Sequence, residues 1–331
     1  MSLMTTKGFG QDIVSAAVRA LYNRALQEQS SQLYYQELGL TQYSPDVPSE
    51  QLSGVTGPGK GILTIEGQQF GSNAKTNEYP VTLTMRKYTS ELSWTEEDIH
   101  WLQKANESSK RAIDFRSMPS QAVQALNQNI NEDACKVFYL GFGTTFLTVG
   151  NSEALFASHT LRTGDTQKNT FPTASGHLAL SSAAVTQAIS IMNRFKAQNG
   201  IQMLKCRNFK LIVSVENEPV AHQIKMSDYG PLNNNLGIQT SSDTALSARG
   251  ITMDVVVARD IPSTTYSTYW FLTETNRAST RAFLAAAWMP RMNDVNDYRK
   301  GVYFNEASTV FGPVVQGWQW AFGSKGDASA S

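Results

Sequence analysis

Cysteine and histidine are scarce: two cysteines, Cys135 and Cys206, and four histidines stand in 331 residues. Neither cysteine has a partner at the spacing of a metal site or a redox motif, so a disulfide scaffold is excluded and both read as reduced thiols of a cytosolic product. Charge is thin as well. Charged residues make up 17% of the chain, against ~25% in ordinary soluble domains. The 28 basic residues balance 28 acidic ones, so no overall field draws the chain to nucleic acid or to an anionic membrane, and only local basic patches remain open. No run of 18 apolar residues occurs, which leaves no membrane-spanning helix by hydropathy, and MSLMTTKGFGQD lacks the apolar centre of a signal peptide. Asn, Gln, Ser and Thr are plentiful instead. A polar but weakly charged surface suits a chain mostly covered by neighbours.

Catalytic signatures are missing too. GVTGPGKG, from Gly54 to Gly61, matches a phosphate-binding loop up to Lys60, but Gly61 stands where Ser or Thr would reach Mg²⁺, and ILTIEG after it is β-prone instead of helical. Gly141 and Gly143 open a G-x-G, yet Phe146 holds the place of the third glycine. No two of His100, His159, His177 and His222 are spaced as ligands on one helix face or in one short loop. Glu96, Glu97 and Asp98 would point in different directions on a helix. Ser175-Gly176-His177 lacks the strand-to-helix setting that exposes a nucleophile. No catalytic residue, cofactor or metal site is expected.

What is present is a succession of elements. From Ser117 to Leu140, Ala122, Leu126, Ile130, Ala134 and Phe138 recur at steps of three and four, the spacing of one helical face, with Ser117 as cap, Pro119 in the first turn and Gly141 as stop. That predicts a rod of roughly 33 Å. Before it, residues 11–38 read as a helical arm with Val14, Val18, Leu21, Ala25 and Leu26 on one stripe. Pro45, Pro48, Gly54, Gly57, Pro58, Gly59 and Gly61 then form a flexible joint where no packed element is expected. Two β patterns follow, Ile62 to Phe70 with Ile65 between, and Tyr79 to Tyr88 with Val81, Leu83 and Met85 alternating against polar residues; GSNAKTNE between them has turn composition, so the pair predicts a long hairpin. A two-stranded hairpin is marginal in water and needs another surface. Ser93 to Ala105 predicts a short helix, with Ser93 and Glu96 as capping box and Trp94, Ile99 and Leu102 as its apolar side.

Beyond the long helix, Thr144 to Val149 is β-like and residues 157–178 read as a polar loop. A helix capped by Ser181 or Ser182 carries Val185, Ile189, Met192 and Phe195 on one face. Strand Phe209 to Val215, helix Glu216 to Met226, polar loop 227–250, strands Ile251 to Ala258 and Tyr269 to Thr273, and a closing strand pair near Gly301 to Phe304 and Val314 to Phe322 complete an α+β chain. No internal repeat is visible.

Arm helix, Gly/Pro joint, hairpin, long helix, α/β insertion and returning C-terminal strands, in that order, resemble one family. The residues that carry the likeness are YPVTLTMRKYTSELSWTEEDI, ALFASHTLRTGDTQKNTF, the helix VTQAISIMNRFKAQNG paired with LKCRNFKLIVSVENEPVAHQI, and the terminal FGPVVQGWQW. The chain resembles the major capsid proteins of tailed bacteriophages, with the Hong Kong 97-like fold, over nearly its whole length. The resemblance implies an N-terminal arm (1–48), an extended loop (49–90), a peripheral domain with a spine helix (91–156 and 291–331) and an axial domain (157–290), whose loops, 227–250 among them, meet around the symmetry axes.

It further implies a head shell built of the chain itself as pentamers and hexamers around double-stranded DNA held without sequence specificity, with a portal and with scaffold or decoration proteins as further partners. Such a shell assembles in the host cytoplasm, becomes part of the virion and has no membrane. Inter-subunit contacts are then expected from Val14, Val18, Leu21, Ala25, Ile62, Ile65, Phe70, Val81, Leu83 and Met85, with Gly54, Gly57, Pro58, Gly59 and Gly61 letting identical chains take different hairpin angles. Lys60 and Lys75 lie in or near the element that some members crosslink, but neither matches a reactive position. The stretch before the arm helix looks too short for a scaffolding segment. Two other readings are an encapsulin-like compartment of the same fold, and a nucleotide-binding enzyme using Gly54 to Lys60.

Overall fold

The computed structural model describes residues 6–47, 49–58, 75–95, 97, 110–150, 152–172, 177–227, 250–292, 297–299 and 302–326. In chain order the arm helix α1 (Thr6–Gln29) leads into short strands β1 (Thr41–Tyr43), β2 (Ser49–Leu52), β3 (Val55–Pro58) and β4 (Lys75–Asn77). Then come β5 (Val81–Thr84), β6 (Arg86–Thr95), the long helix α2 (Lys110–Tyr139), β7 (Ser158–Thr160), β8 (Thr166–Lys168), α3 (Ser182–Met192) and β9 (Asn208–Val213). The last part holds α4 (Glu218–Ser227), β10 (Thr252–Val257), α5 (Ser263–Tyr266), β11 (Trp270–Glu274), α6 (Thr275–Arg281), β12 (Ala282–Met292), β13 (Asp297–Arg299), β14 (Val302–Val315) and β15 (Ala321–Ser324).

Helix α2 is 30 residues long, about 45 Å at 1.5 Å per residue. It starts seven residues before Ser117, so Ser117 is no cap and Pro119 lies inside the helix. Proline there forfeits one helical hydrogen bond. The same turn is held from outside, where the Gln29 side chain donates to Ser120 O at 3.1 Å and Ser120 Oγ at 2.6 Å. The stop is as expected, with Gly141 N donating to Phe138 O.

Helix α1 finds its partner within the chain: Val18, Tyr22 and Ala25 cluster with Val123 and Leu126 of α2, Leu92 of β6 and Ala307 of β14. After it, Asn131 Nδ2 donates to Gln32 O at 2.8 Å while Asn131 Oδ1 accepts from Tyr34 N. Burying a polar helix face here is tolerable because its amides satisfy the connector's backbone.

The first sheet is built on the antiparallel pair β12 and β14, with β1 parallel to β12 at one edge and β13 and β6 both on β14. Strand β6 runs beside β14 from Arg86↔Phe311 to Thr95↔Val302. The start of the helix expected from Ser93 is therefore corrected: Ser93 and Trp94 belong to a strand, because the β period that begins at Val81 continues through a full-length partner, while Glu97 is helical. Ile99 and Leu102 lie outside the described residues. FLAAAWM belongs to β12.

The second sheet has the order β10-β9-β11-β15. Its faces carry Leu211, Ile212, Val213, Trp270, Phe271 and Phe322, all fully buried, and α3 covers it with Val185, Ile189 and Met192. Ser181 caps α3, accepting from Ala184 N at 3.2 Å. Phe138, at the end of α2, reaches into this core 5.5 Å from Phe271 and 5.9 Å from Trp320, so one helix serves both sheets. The sheets do not divide the chain at residue 290: β12 crosses that point in the first sheet, and β15 returns to the second. The expected loop 157–178 contains the hairpin β7–β8, and Thr144 to Val149, expected as β-like, is a bend that ends in an isolated bridge from Val149 to Glu153. Residues 228–249 lie outside the described part.

Candidate assembly surfaces

The hairpin expected to project has a different construction from the one the sequence suggests. Val81–Thr84 pairs with Ser49–Leu52, and Val55–Pro58 pairs with Lys75–Asn77. The partner strand thus comes from inside the Gly/Pro stretch read as a joint, and Ile62, Ile65 and Phe70, with Gly59 and Gly61, lie outside the described residues. Gly57 and Pro58 belong to β3. Alternating exposure in Ser49–Leu52 complements that of Val81–Thr84, and cross-strand pairing outweighs turn-rich composition.

At the root of this hairpin sits Glu78, 7% exposed. Arg281, the last residue of α6, binds both its oxygens, Nη2 to Oε1 at 2.7 Å and Nη1 to Oε2 at 3.0 Å. Thr56 Oγ1 donates to Oε1, and Glu78 N donates to Gly54 O at 2.8 Å. A Cβ on Gly54 would lie 2.6 Å from Glu78 Oε2 and 2.7 Å from Gln316 Nε2. Gly54 is thus a close-approach glycine, and its role as a free pivot is corrected. Next to it, the Arg162 guanidinium lies 4.3 Å from the Tyr79 ring centre, and a Cβ on Gly150 would meet Tyr79 Cβ at 2.6 Å. Of the loop Gly54 to Lys60, Val55–Pro58 forms a strand paired with Lys75–Asn77, and Gly59 and Lys60 lie outside the described residues. Nothing in the sequence pattern marked Glu78 or Arg281, since a lone carboxylate at the end of a turn segment reads as solvated.

Four of the residues expected to face a neighbour are covered by their own chain. Val18 and Leu83 are 0% exposed, Ala25 4% and Val81 7%. Val81 and Leu83 pack with Ala285 and Val314 on the first sheet, and Val18 and Ala25 against α2. The physical reason is proximity: a partner tethered on the same chain covers an apolar stripe at less entropic cost than a free copy does. Leu21 and Met85 remain half-buried. Val14 lies in α1, and its side chain is outside the described residues.

Two other surface features stand out. Leu204 is 91% exposed, although its backbone is held: Arg277 Nη2 donates to Leu204 O at 2.5 Å, Met203 N to Phe195 O at 2.8 Å and Cys206 N to Asn193 Oδ1 at 2.7 Å. Arg277 also donates to Met192 O and Gln319 O. Separately, a groove of about 840 Å³ runs between α2 and β10, which is the edge strand of its sheet among the described residues, with Val215, Val255 and Val257 among its lining residues. Inside the second core, His159 places Nδ1 2.8 Å from Glu153 Oε2 and Nε2 3.1 Å from Leu155 O, with its ring stacked on Trp318 at 4.5 Å. Burial pushes its pKa below the ordinary histidine range. Among the described residues no cluster of three His, Cys, Asp or Glu side chains gathers as a metal site, and no helix is long and apolar enough to cross a membrane.

No family model matches the chain, and no curated protein does by sequence. Solved structures do match. The capsid of the native GTA particle superposes with a TM-score of 0.51 at 13% identity, covering 89% of this chain and 91% of that one. The capsid of the empty GTA particle gives 0.50 at 12% identity, over 89% and 90%. The capsid of Myoviridae phage XM1 gives 0.49 at 13% identity, over 89% and 92%. The chain has the Hong Kong 97-like capsid fold. The long helix α2 is the spine of that fold, and the Glu78–Arg281 pair ties the β2–β5 and β3–β4 pairs to the end of α6.

Proposed function

We propose that this chain is the major capsid protein of a tailed bacteriophage. Copies gather as pentamers and hexamers and close an icosahedral shell in the host cytoplasm, which becomes the virion head around double-stranded DNA. The task is mechanical, with no catalytic step. A portal fills one vertex, and the DNA is contained without sequence reading, in keeping with the zero formal net charge.

The observation that carries this reading is the extent of the fold likeness, which spans about nine-tenths of both chains. We place the subunit contacts on Val14, Leu21, Ile62, Ile65, Phe70 and Met85. Domain limits near residues 48, 90 and 156 accompany this reading.

Negative-stain microscopy and size-exclusion chromatography of the purified chain test it. Closed particles eluting in the megadalton range are expected. A monodisperse monomer at high concentration overturns it.

A further inference from the structure

A ring of identical subunits needs two different surfaces on each copy, one to offer and one to receive. Leu204 has the character of the first. An exposed leucine on a loose loop is ordinary, but this one stands on backbone pinned from both sides and by the half-buried Arg277 guanidinium. Arg277 gives its hydrogen bonds to three carbonyls, those of Met192, Gln319 and Leu204. Such a knob loses little freedom when it docks. Around it Arg194, Lys205 and Arg207 are exposed, and among the described residues none of the three has an ion-pair partner.

The second surface is the groove between α2 and β10. Carboxylates of Glu37, Glu218 and Asp260 line it against one cation, Arg259, and Val215 and Val257 supply apolar area. Val215 is 49% exposed. Among the described residues strand β10 pairs only with β9, through residues such as Thr252 and Ala258, whose N–H groups bond Arg207 O and Val213 O. The alternate residues Val255 and Val257 therefore turn their backbone groups to the open edge, which an extended segment can satisfy.

We propose that Leu204, with Arg194, Lys205 and Arg207, seats in the groove between α2 and β10 of a second copy, so that each subunit offers one knob and one socket around a capsomer ring. The inference rests on the shell reading for its ring geometry. Opposite charge on the two surfaces selects a copy of this same chain, and the 91% exposure of Leu204 excludes its own groove as the occupied one.

Mixing full-length Leu204→Cys chains with Val215→Cys chains under mild oxidation tests the contact directly, since Cys135 and Cys206 are buried. A disulfide-linked dimer on a non-reducing gel, at least tenfold more abundant from the mixture than from either variant alone, is expected. No excess over the single variants overturns the proposal. In a second arm, Lys205→Glu with Arg207→Glu, or Glu37→Lys with Glu218→Lys, should each cut the assembled fraction at least tenfold with unchanged circular dichroism, and combining all four should restore it. Assembly by either pair at the wild-type level, or no restoration, overturns the charge pairing. Wild-type micrographs judge the shell separately: crosslinking without shells sinks the functional reading and leaves the contact standing, and shells without crosslinking do the reverse.

Discussion

Arg281 holds Glu78 in a two-pronged ion pair across 203 residues of chain, with 16% and 8% of the two side chains exposed. The pair fastens the β2–β5 and β3–β4 hairpin to the end of α6, so Gly54 and Thr56 belong to the fastened part of the chain.

Removing one member strands the other in a site that water scarcely enters. Arg281→Ala is expected to lower unfolding free energy by about 3–5 kcal/mol, while the double variant Glu78→Leu with Arg281→Met costs clearly less than either single change. Urea titration of the three proteins under conditions that keep them unassembled checks this; a neutral Arg281→Ala would mean the pair is solvated.

Gly54 is crowded by that same carboxylate. Gly54→Ala should destabilise by about 1–3 kcal/mol, as overpacking does, through contact with Glu78 Oε2 and Gln316 Nε2. A pivot role would instead leave the isolated subunit unaffected and harm only assembly, so thermal melts of unassembled protein separate the two.

Acid should weaken the subunit. Burial lowers the folded-state pKa of His159, and burial together with the Lys325 charge lowers that of His177. The unfolded chain, with histidines near their ordinary value of about 6.5, then binds more protons than the folded one below that pH. Stability present above pH ~6.5 is lost as pH falls from there towards the folded-state values, by at most about 1.4 kcal/mol per pH unit for each histidine. Denaturation midpoints measured from pH 7.5 down to 5.5 should decline, and His159→Gln should flatten that decline.

Both thiols should be silent in the folded protein. Burial pushes Cys135 up to about 12 and Cys206 up to about 11, so little thiolate exists at pH 8 and reagent has no access. Reaction with a disulfide dye should run at least a hundredfold more slowly in the native state than in guanidinium. Fast native labelling of either cysteine would show that the second core opens.

Local patterns were legible where an element keeps one period and one buried side. The apolar face of α2, the Ser181 cap and face of α3, and the strands β9, β10 and β11 follow from spacing and capping chemistry alone. The order of those elements already carried the likeness to a capsid fold. Misreadings fell where pairing outvoted composition: Ser93 and Trp94 look like a helix start until β14 is laid beside them, and Ser49–Leu52 looks like punctuation until it meets Val81–Thr84.

By itself the chain determined its class and its spine, because these depend on residue type and short-range repeat. Tertiary structure alone decided which stripes stay available to other copies. Val18 and Leu83 vanish against their own subunit, while Leu204 is held out into solvent by Arg277, 73 residues away in sequence. Burial is set by what long-range contact places opposite a side chain, and no window of sequence contains that partner.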